Sequence, residues 1–468
     1  KVLGGEESVI RLALILEAMF ISVFSYFIGL LLVYMTGKTS IASLIDADIT
    51  LSAHWGLVWL TALIAIATGI FSGIYPSYYM TSFPPALVLK GSFGLSPKGR
   101  QLRNVLIGIQ FVASFGLIIG ATFMYLQNYY MQNTPLGYDK DEVIITNMNN
   151  NIRKSRDAFA SQVKSFSGIE EVTYAEMLLS SQDQYMGWGR KYRDKDIQFQ
   201  CLPVEPSFLK VMNVKISEGR DFREEDKAKR YGTFVFNERA RTEYGLEIGS
   251  LIDSMEIVGF MPDVKFASFR TEVTPMAFFV WGTNNWGNQP NYAYIKVKAG
   301  SDLRGAMQHV KTTLQSFDPE YPFNVRFFDE VLNGLYEKER SLSSLITLFS
   351  LIAIFISVVG VFGLVVFDSE YRKKEIGIRK VLGSTTEEII VMFNKTYIRI
   401  LCVCFVLGAP IAGYVVHRWL ENFAYKTPMY WWVYLIAFAI IAVITILTVT
   451  FQNWRAANEN PVHSIKNE

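Results

Sequence analysis

The stretch RKKEIGIRKVLGS, Arg372–Ser384, lies between two long apolar runs, and its last letters occur a second time at the other end of the chain, where Lys1-Val2-Leu3-Gly4 opens KVLGG. The same elements come next, in the same order, in both places. After Lys1–Gly4 come an apolar run, a short loop, a second apolar run and PPALVLKG (Pro84 to Gly91). After Lys380–Gly383 come an apolar run, a short loop, a second apolar run and NPVHSIKN (Asn460 to Asn467). Lys1 to Pro85 is 84 positions and Lys380 to Pro461 is 81, so the chain carries an internal repeat. The second copy is preceded by a span, a large polar region and another span. The first copy has no such preamble, which leads to the expectation of a further half-unit upstream, made of one span, one outer domain and one span.

The repeat is built from membrane-length elements. Half of the 468 residues are hydrophobic and only 19% are charged, a balance that ordinary soluble enzymes do not show. Six apolar runs reach the roughly 20 residues that a helix needs to cross a bilayer core: Leu12 to Met35, Trp55 to Tyr75, Val105 to Leu126, Leu345 to Phe367, Ile398 to Val416 and Trp431 to Phe451. A single such run could be a buried core helix; six together read as a polytopic membrane protein. The first run is too long for the core of a secretory signal peptide. The net charge of +2 gives no sign of nucleic-acid binding, and three cysteines, two of them inside the fifth run, make no disulfide framework.

Lysine and arginine collect in cytoplasmic loops. Lys90, Lys98, Arg100 and Arg103 lie between the second and third runs without an acidic neighbour, and Arg372, Lys373, Lys374, Arg379 and Lys380 lie between the fourth and fifth. Both loops are therefore expected inside. The loop Thr36 to His54 has only Lys38 against Asp46 and Asp48 and is expected outside, while the tail with Arg455 and Lys466 returns inside. This puts the polar region between the third and fourth runs on the outer side as a separate domain. Strands are expected at Glu142 to Thr146, Gln198 to Val204, Tyr231 to Phe236, Met255 to Phe260, Met276 to Val280 and Tyr292 to Val297, with helices at Ser155 to Lys164 and Asp302 to Gln315, which is an α+β pattern. Tyr125 to Met131 and Val331 to Leu342 read as helical stalks continuing the adjoining spans.

With these elements in place, the chain resembles the FtsX/MacB-type permeases of ABC transporters over nearly its whole length. The residues that carry the resemblance are RKKEIGIRKVLGS, the closing NPVHSIK, and in the outer domain GRDF (Gly219 to Phe222), FVFNERA (Phe234 to Ala240) and IVGFMPDVKFASF (Ile257 to Phe269). Met261-Pro262 departs from the family's usual valine-x before the aspartate. The resemblance implies a polytopic α-helical membrane protein with a large α+β periplasmic domain of the MacB core type and six transmembrane helices. Its parts would be 1–91 as the end of a first membrane repeat, 92–127 as cytoplasmic linker and span, 128–342 as periplasmic domain with stalks, and 343–468 as the second membrane repeat. It also implies the bacterial inner membrane as location, and a non-catalytic permease subunit of the mechanotransmitting kind that exports or releases a peptide, drug or lipoprotein. The partners implied are a dimer of ABC ATPase subunits, membrane lipid, and a periplasmic adaptor or carrier; nucleic acid is not among them. ATP and magnesium would sit on the ATPase, leaving no cofactor on this chain. Two other branches of the family give alternatives, a regulator of a cell-wall hydrolase and a sensor of peptide antibiotics.

The segment EIGIRKVLGS mixes Ile376, Ile378, Val381 and Leu382 with Glu375, Arg379 and Lys380. Such a segment at a span end lies along the membrane or offers an apolar face to a partner groove; a plain anchoring loop needs only the charge. In the family it is the coupling helix that docks on the ATPase. This assigns the role to Glu375, Ile376, Gly377, Ile378, Arg379, Lys380, Val381, Leu382 and Gly383 within a helix over 373–388, and to Lys1, Val2, Leu3 and Gly4 in the first repeat.

Other motifs carry no chemistry. TGKTS (Thr36 to Ser40) resembles the end of a phosphate-binding loop, but the position of its first glycine is Leu32. His54, His309, His417 and His463 have no ligand spacing. Glu17, Lys395 and Arg399 lie within one or two turns of cytoplasmic span ends, where their side chains can snorkel. Gly69, Gly73, Gly360 and Gly363 are expected to let helices approach closely, and Gly408-Ala409-Pro410 to kink the fifth span. The charge run GRDFREEDKAKR (Gly219 to Arg230) reads as a solvated loop, with a contact surface for a periplasmic partner as its alternative.

Overall fold

A computed structural model describes residues 6–37, 50–81, 97–180, 185–283, 289–371 and 373–457. Its long helices are α1 (Glu7–Thr36), α2 (Trp55–Thr81) and α3 (Pro97–Asn133). In the polar region come α4 (Arg156–Lys164), α5 (Glu238–Tyr244), α6 (Leu303–Phe317) and α7 (Phe328–Leu335). After them come α8 (Glu337–Tyr371), α9 (Lys373–Val381), α10 (Thr386–Leu420) and α11 (Trp431–Ala457). Six of these, α1, α2, α3, α8, α10 and α11, are long and apolar enough to cross a membrane. Contacts divide the chain into a helical unit (residues 1–125, 338–417 and 429–468) and an outer unit (126–337 and 418–428).

In the helical unit, α1 and α2 form a close hairpin. A Cβ on Gly69 would lie 2.7 Å from the Met19 Cα, and one on Gly73 would lie 2.9 Å from the Ile15 Cα, so only glycine allows these backbones to approach. Polar side chains bind across the hairpin: Ser22 Oγ donates to the Ala65 carbonyl at 2.7 Å and Tyr26 Oη to the Val58 carbonyl at 2.6 Å. Helices α3, α8, α10 and α11 bury Phe111, Phe115, Phe123, Val361, Leu401, Ala437 and Val449. Edge-on ring contacts from Phe405 to Phe115 (5.2 Å) and to Phe438 (5.1 Å) join three of them. Of the four glycines expected at contacts, Gly360 faces Gln110, whereas a Cβ on Gly363 would meet open space; Gly363 makes no such contact. Pro410 lies inside α10, which continues unbroken to Leu420.

The outer unit is one mixed sheet. Its strands are β1 (Val143–Asn147), β2 (Ile169–Ala175), β3 (Met186–Tyr192), β4 (Lys195–Val204), β5 (Glu218–Gly219), β6 (Thr233–Asn237), β7 (Leu251–Ile252), β8 (Met255–Met261), β9 (Met276–Val280), β10 (Tyr292–Val297) and β11 (Arg326–Phe327). The order is β11-β1-β10-β2-β4-β9-β6-β8-β5, with β3 on β4 and β7 on β8. All six expected strands are present, within a few residues of their expected ends. The sheet narrows in the middle, where β2 meets β4 at the single pair Ala175–Val204. Two flanking backbone bonds and an ion pair from Arg156 to Glu205 at 2.8 Å reinforce that seam. Helices α4 and α6 cover one half around Phe159, Val163, Val310 and Leu314; the other half packs Trp188, Phe199, Phe234, Phe236 and Phe279.

Candidate functional site

Helix α9 is short and mostly charged, and it is held by its ends. Arg379 pairs with Glu375 one turn before it at 2.8 Å, a half-exposed bridge that contributes a few tenths of a kcal/mol at most. At the C-terminus Gly383 adopts φ +95°, which only glycine takes without strain, and two crossed bonds close the helix. Ser384 N–H donates to the Arg379 carbonyl at 2.9 Å and Gly383 N–H to the Lys380 carbonyl at 3.0 Å, the pairing of a Schellman cap. Helix α10 begins at once with a capping box: Glu388 N–H donates to Thr385 Oγ1 and Thr385 N–H to Glu388 Oε2, each at 3.2 Å. The expected helix over 373–388 is therefore two helices with a fixed corner between them.

That corner decides which side chains are presented. Ile376 turns inward and is 6% exposed. Ile378, Val381 and Leu382, spaced three and four apart on one face, are 56%, 69% and 79% exposed. Glu375 and Lys380 are half-buried beside this face, and Arg379 is exposed. Three large apolar side chains are thus displayed among charges next to the end of a membrane-length helix. Gly377 lies within α9. The repeat copy at Lys1, Val2, Leu3 and Gly4 lies outside the described residues, as do PPALVLKG and the closing NPVHSIK.

The outer-domain blocks are framework. Asn237 is fully buried; its Oδ1 caps α5 through Ala240 N–H at 3.1 Å and also accepts from Met276 N–H at 2.9 Å, which ties β6 to β9. Asp263 accepts from Arg239 N–H at 2.9 Å at the same helix start. Gly219, at φ +83°, lies so close to β8 that a Cβ would meet the Val258 carbonyl at 2.4 Å. The run after it is not simply a solvated loop. Glu224, Glu225 and Lys227 are exposed, but Asp226 is 1% exposed and takes a two-pronged bond from Arg220 at 2.7 and 2.9 Å. Sequence reasoning missed this, although the Arg-x5-Asp spacing was there to read.

Among the described residues no three histidine, cysteine, aspartate or glutamate side chains gather as metal ligands. An open, uncharged trough of about 460 Å³ crosses β3, β4 and the start of β9, lined by Gly187, Gly189, Gln198, Gln200, Thr274 and Pro275. The cavity between α3, α8 and α11 has room for about one water, with Ser114 and Ser357 bonded across it at 2.9 Å.

Two family models match the sequence. The FtsX-like permease C-terminal model matches residues 1–85 and again 347–461, so the repeat read from KVLG is the same domain twice. The MacB-like periplasmic core domain matches residues 105–313. The chain belongs to the FtsX/MacB-type permeases. Relatives include the macrolide export ATP-binding/permease protein MacB of Chromobacterium violaceum, 23% identical over 230 residues, and that of Escherichia coli K12, 23% identical over 233. Each alignment takes in 47% of this chain and 35% of the relative's length. Solved structures resembling it include the periplasmic region of MacB from Actinobacillus actinomycetemcomitans (15% identity, TM-score 0.32, covering 42% of this chain and 94% of that one). Another is the extracellular domain of the transporter YknZ from Gram-positive bacteria (12% identity, TM-score 0.29, 39% and 99%). Six membrane-length helices and the match to the periplasmic core domain make this FtsX/MacB-type chain a multi-pass membrane protein with a MacB-like periplasmic core domain, and the chain spans about a third of the length of these MacB relatives.

Proposed function

We propose that the chain is the membrane subunit of a mechanotransmitting ABC transporter in the bacterial inner membrane. In this reading α9 docks into a groove on a separate ATPase subunit, and ATP-driven movement there is passed to the periplasmic domain, which expels or hands over a peptide, drug or lipoprotein. The observation that carries the reading is the exposed face of Ile378, Val381 and Leu382 on a helix whose corner is fixed by the Gly383 cap. The water-sized cavity between α3, α8 and α11 supports a substrate that does not pass between those helices. ATP and magnesium belong to the ATPase in this scheme, and a periplasmic adaptor or carrier would receive the cargo.

The test is co-purification of the ATPase with variants of the permease. Burying Leu382 and Val381 in a groove contributes about 2 kcal/mol each, and Leu382→Asp would also place an unpaired carboxylate there. Leu382→Asp should therefore weaken association at least about a hundredfold, with insertion in the membrane unchanged. Leu3→Asp should impair the docking site of the first repeat, and the double variant should retain less ATPase than either single one. Wild-type retention in the double variant would mean that the repeated segment is only a charged anchor.

A further inference from the structure

The link between α10 and α11 is ten residues long and joins two membrane helices, a place where a polar, solvated turn would be sufficient. Instead, 418–428 is part of the outer unit. Phe423 is 3% exposed within the same apolar core as Phe266, Phe269 and Val331, and Trp419 and Tyr425 pack against that core. The segment is also fixed through its backbone. Gln127, on the outer part of α3 and fully buried, donates from Nε2 to the Tyr425 carbonyl at 3.1 Å and accepts at Oε1 from Thr427 N–H at 2.8 Å. Tyr425 N–H donates to the Phe269 carbonyl at 3.2 Å, and Tyr425 Oη accepts from Val273 N–H at 3.2 Å. The Lys265 ammonium lies 4.7 Å from the centre of the Phe269 ring and 4.5 Å from that of Tyr425. Phe269 N–H in turn donates to Tyr336 Oη at 2.8 Å, just before α8 begins.

Both stalk ends, the 263–275 loop of the domain and the α10–α11 link thus meet around Tyr425 and Phe269. Helix α10, which ends in this link, is one continuous helix of 35 residues whose other end starts at the Thr385 capping box, next to the corner that closes α9. The helix runs on through Pro410, which lacks one backbone N–H, to Leu420, and a helix does not readily lengthen along its axis, so a shift at its start is carried to its end. We propose that segment 418–428 is a tether that couples α9 to the outer domain through α10, with Gln127 as the positioning residue that holds it. The tether rests on the docking of α9 to an ATPase and adds to the two stalks a third connection.

The experiment is hydrogen exchange on the permease with its partner ATPase, with and without a non-hydrolysable ATP analogue. In the wild-type complex the analogue should change exchange both in 373–381 and in 263–275. Gln127→Leu removes both bonds to the link while keeping the volume filled. The change in 373–381 should stay, and that in 263–275 should fall at least about fivefold. Tyr425→Phe, which keeps the ring and loses one acceptor, should give an intermediate fall. Should Gln127→Leu disturb the folded domain even without nucleotide, Tyr425→Phe decides. A wild-type response in 263–275 in that variant, or in Gln127→Leu, overturns the tether. A wild-type complex that responds in 373–381 but not in 263–275 also overturns the tether alone. No response in 373–381 refutes the docking reading, and the tether with it.

Discussion

Asp226 is a carboxylate with almost no access to water, and its survival as a charged group depends on Arg220. Burial alone pushes its carboxyl group up, but the Arg220 guanidinium, the Arg223 N–H and the nearby charge of Lys229 outweigh that and hold it below the usual carboxylate range. A folded value below the unfolded one of about 4 stabilises the domain above that pH, and the contribution is lost as pH falls through the folded value. Arg220→Met leaves the buried carboxylate with only Lys229 and one backbone donor, at a cost of about 3 kcal/mol near neutral pH. Thermal unfolding of the outer domain should show the gap between wild type and variant narrowing as pH falls below about 4 and through the depressed folded value of Asp226. A gap of constant size across that range would show that Arg220 acts by packing alone. The charge run around Asp226 hid this residue because hydropathy gives the same weight to every acid in GRDFREEDKAKR. Which of them turns inward is set by the backbone of β5 and β8, whose glycines bring Arg220 over it.

At the scale of elements, the membrane helices and the six strands with alternating or β-branched patterns were legible because their signal is continuous over the whole element. The missing strands lack that signal. β3 reads Met-Gly-Trp-Gly-Arg-Lys-Tyr, with two glycines where its open face lies, and β2 begins Ile-Glu-Glu; both exist because β4 and β10 pair with them. The corner between α9 and α10 was legible and was passed over: Gly383 followed by Thr385 and Glu388 is a helix stop and start written out in sequence. The α1–α2 hairpin shows how far spacing can be trusted. Gly69 and Gly73 lie four apart and both meet α1, whereas Gly363, three residues from Gly360, meets nothing. Gly69→Val should therefore overpack the hairpin by about 1–3 kcal/mol, while Gly363→Ala should be neutral. Folded yield in mild detergent, together with oxidative cross-linking of cysteines placed at Ser22 and Ala65, separates the two. Equal tolerance of both changes would mean that the hairpin is not held by close backbone approach.

The side of the membrane on which each part lies depends on how many times the chain crosses. Leaving the outer unit at Glu337, the chain runs through α8, turns at α9 and the Gly383 corner, and runs through α10 to Arg418, where it is again part of the outer unit. Helices α8 and α10 each have 35 residues, about 52 Å of helix, against a bilayer core of about 30 Å. Two crossings return the chain to its starting side, so the grouping of 418–428 with the domain agrees with the lysine and arginine count that puts 368–385 inside. Nothing in the letters of 418–428 announces that grouping; it comes from Phe423 and Tyr425 finding a core far away in sequence. The arrangement predicts that, with the native cysteines replaced, single cysteines at Glu387 and at Lys311, both exposed, react from opposite sides. In intact cells a membrane-impermeant maleimide should label Lys311→Cys fully once the outer membrane is permeabilised, and Glu387→Cys only after the inner membrane is opened. A cysteine at Arg418 should behave as Lys311→Cys does. If Glu387→Cys and Lys311→Cys label together, α8 does not cross the bilayer, and α9 cannot meet a cytoplasmic ATPase.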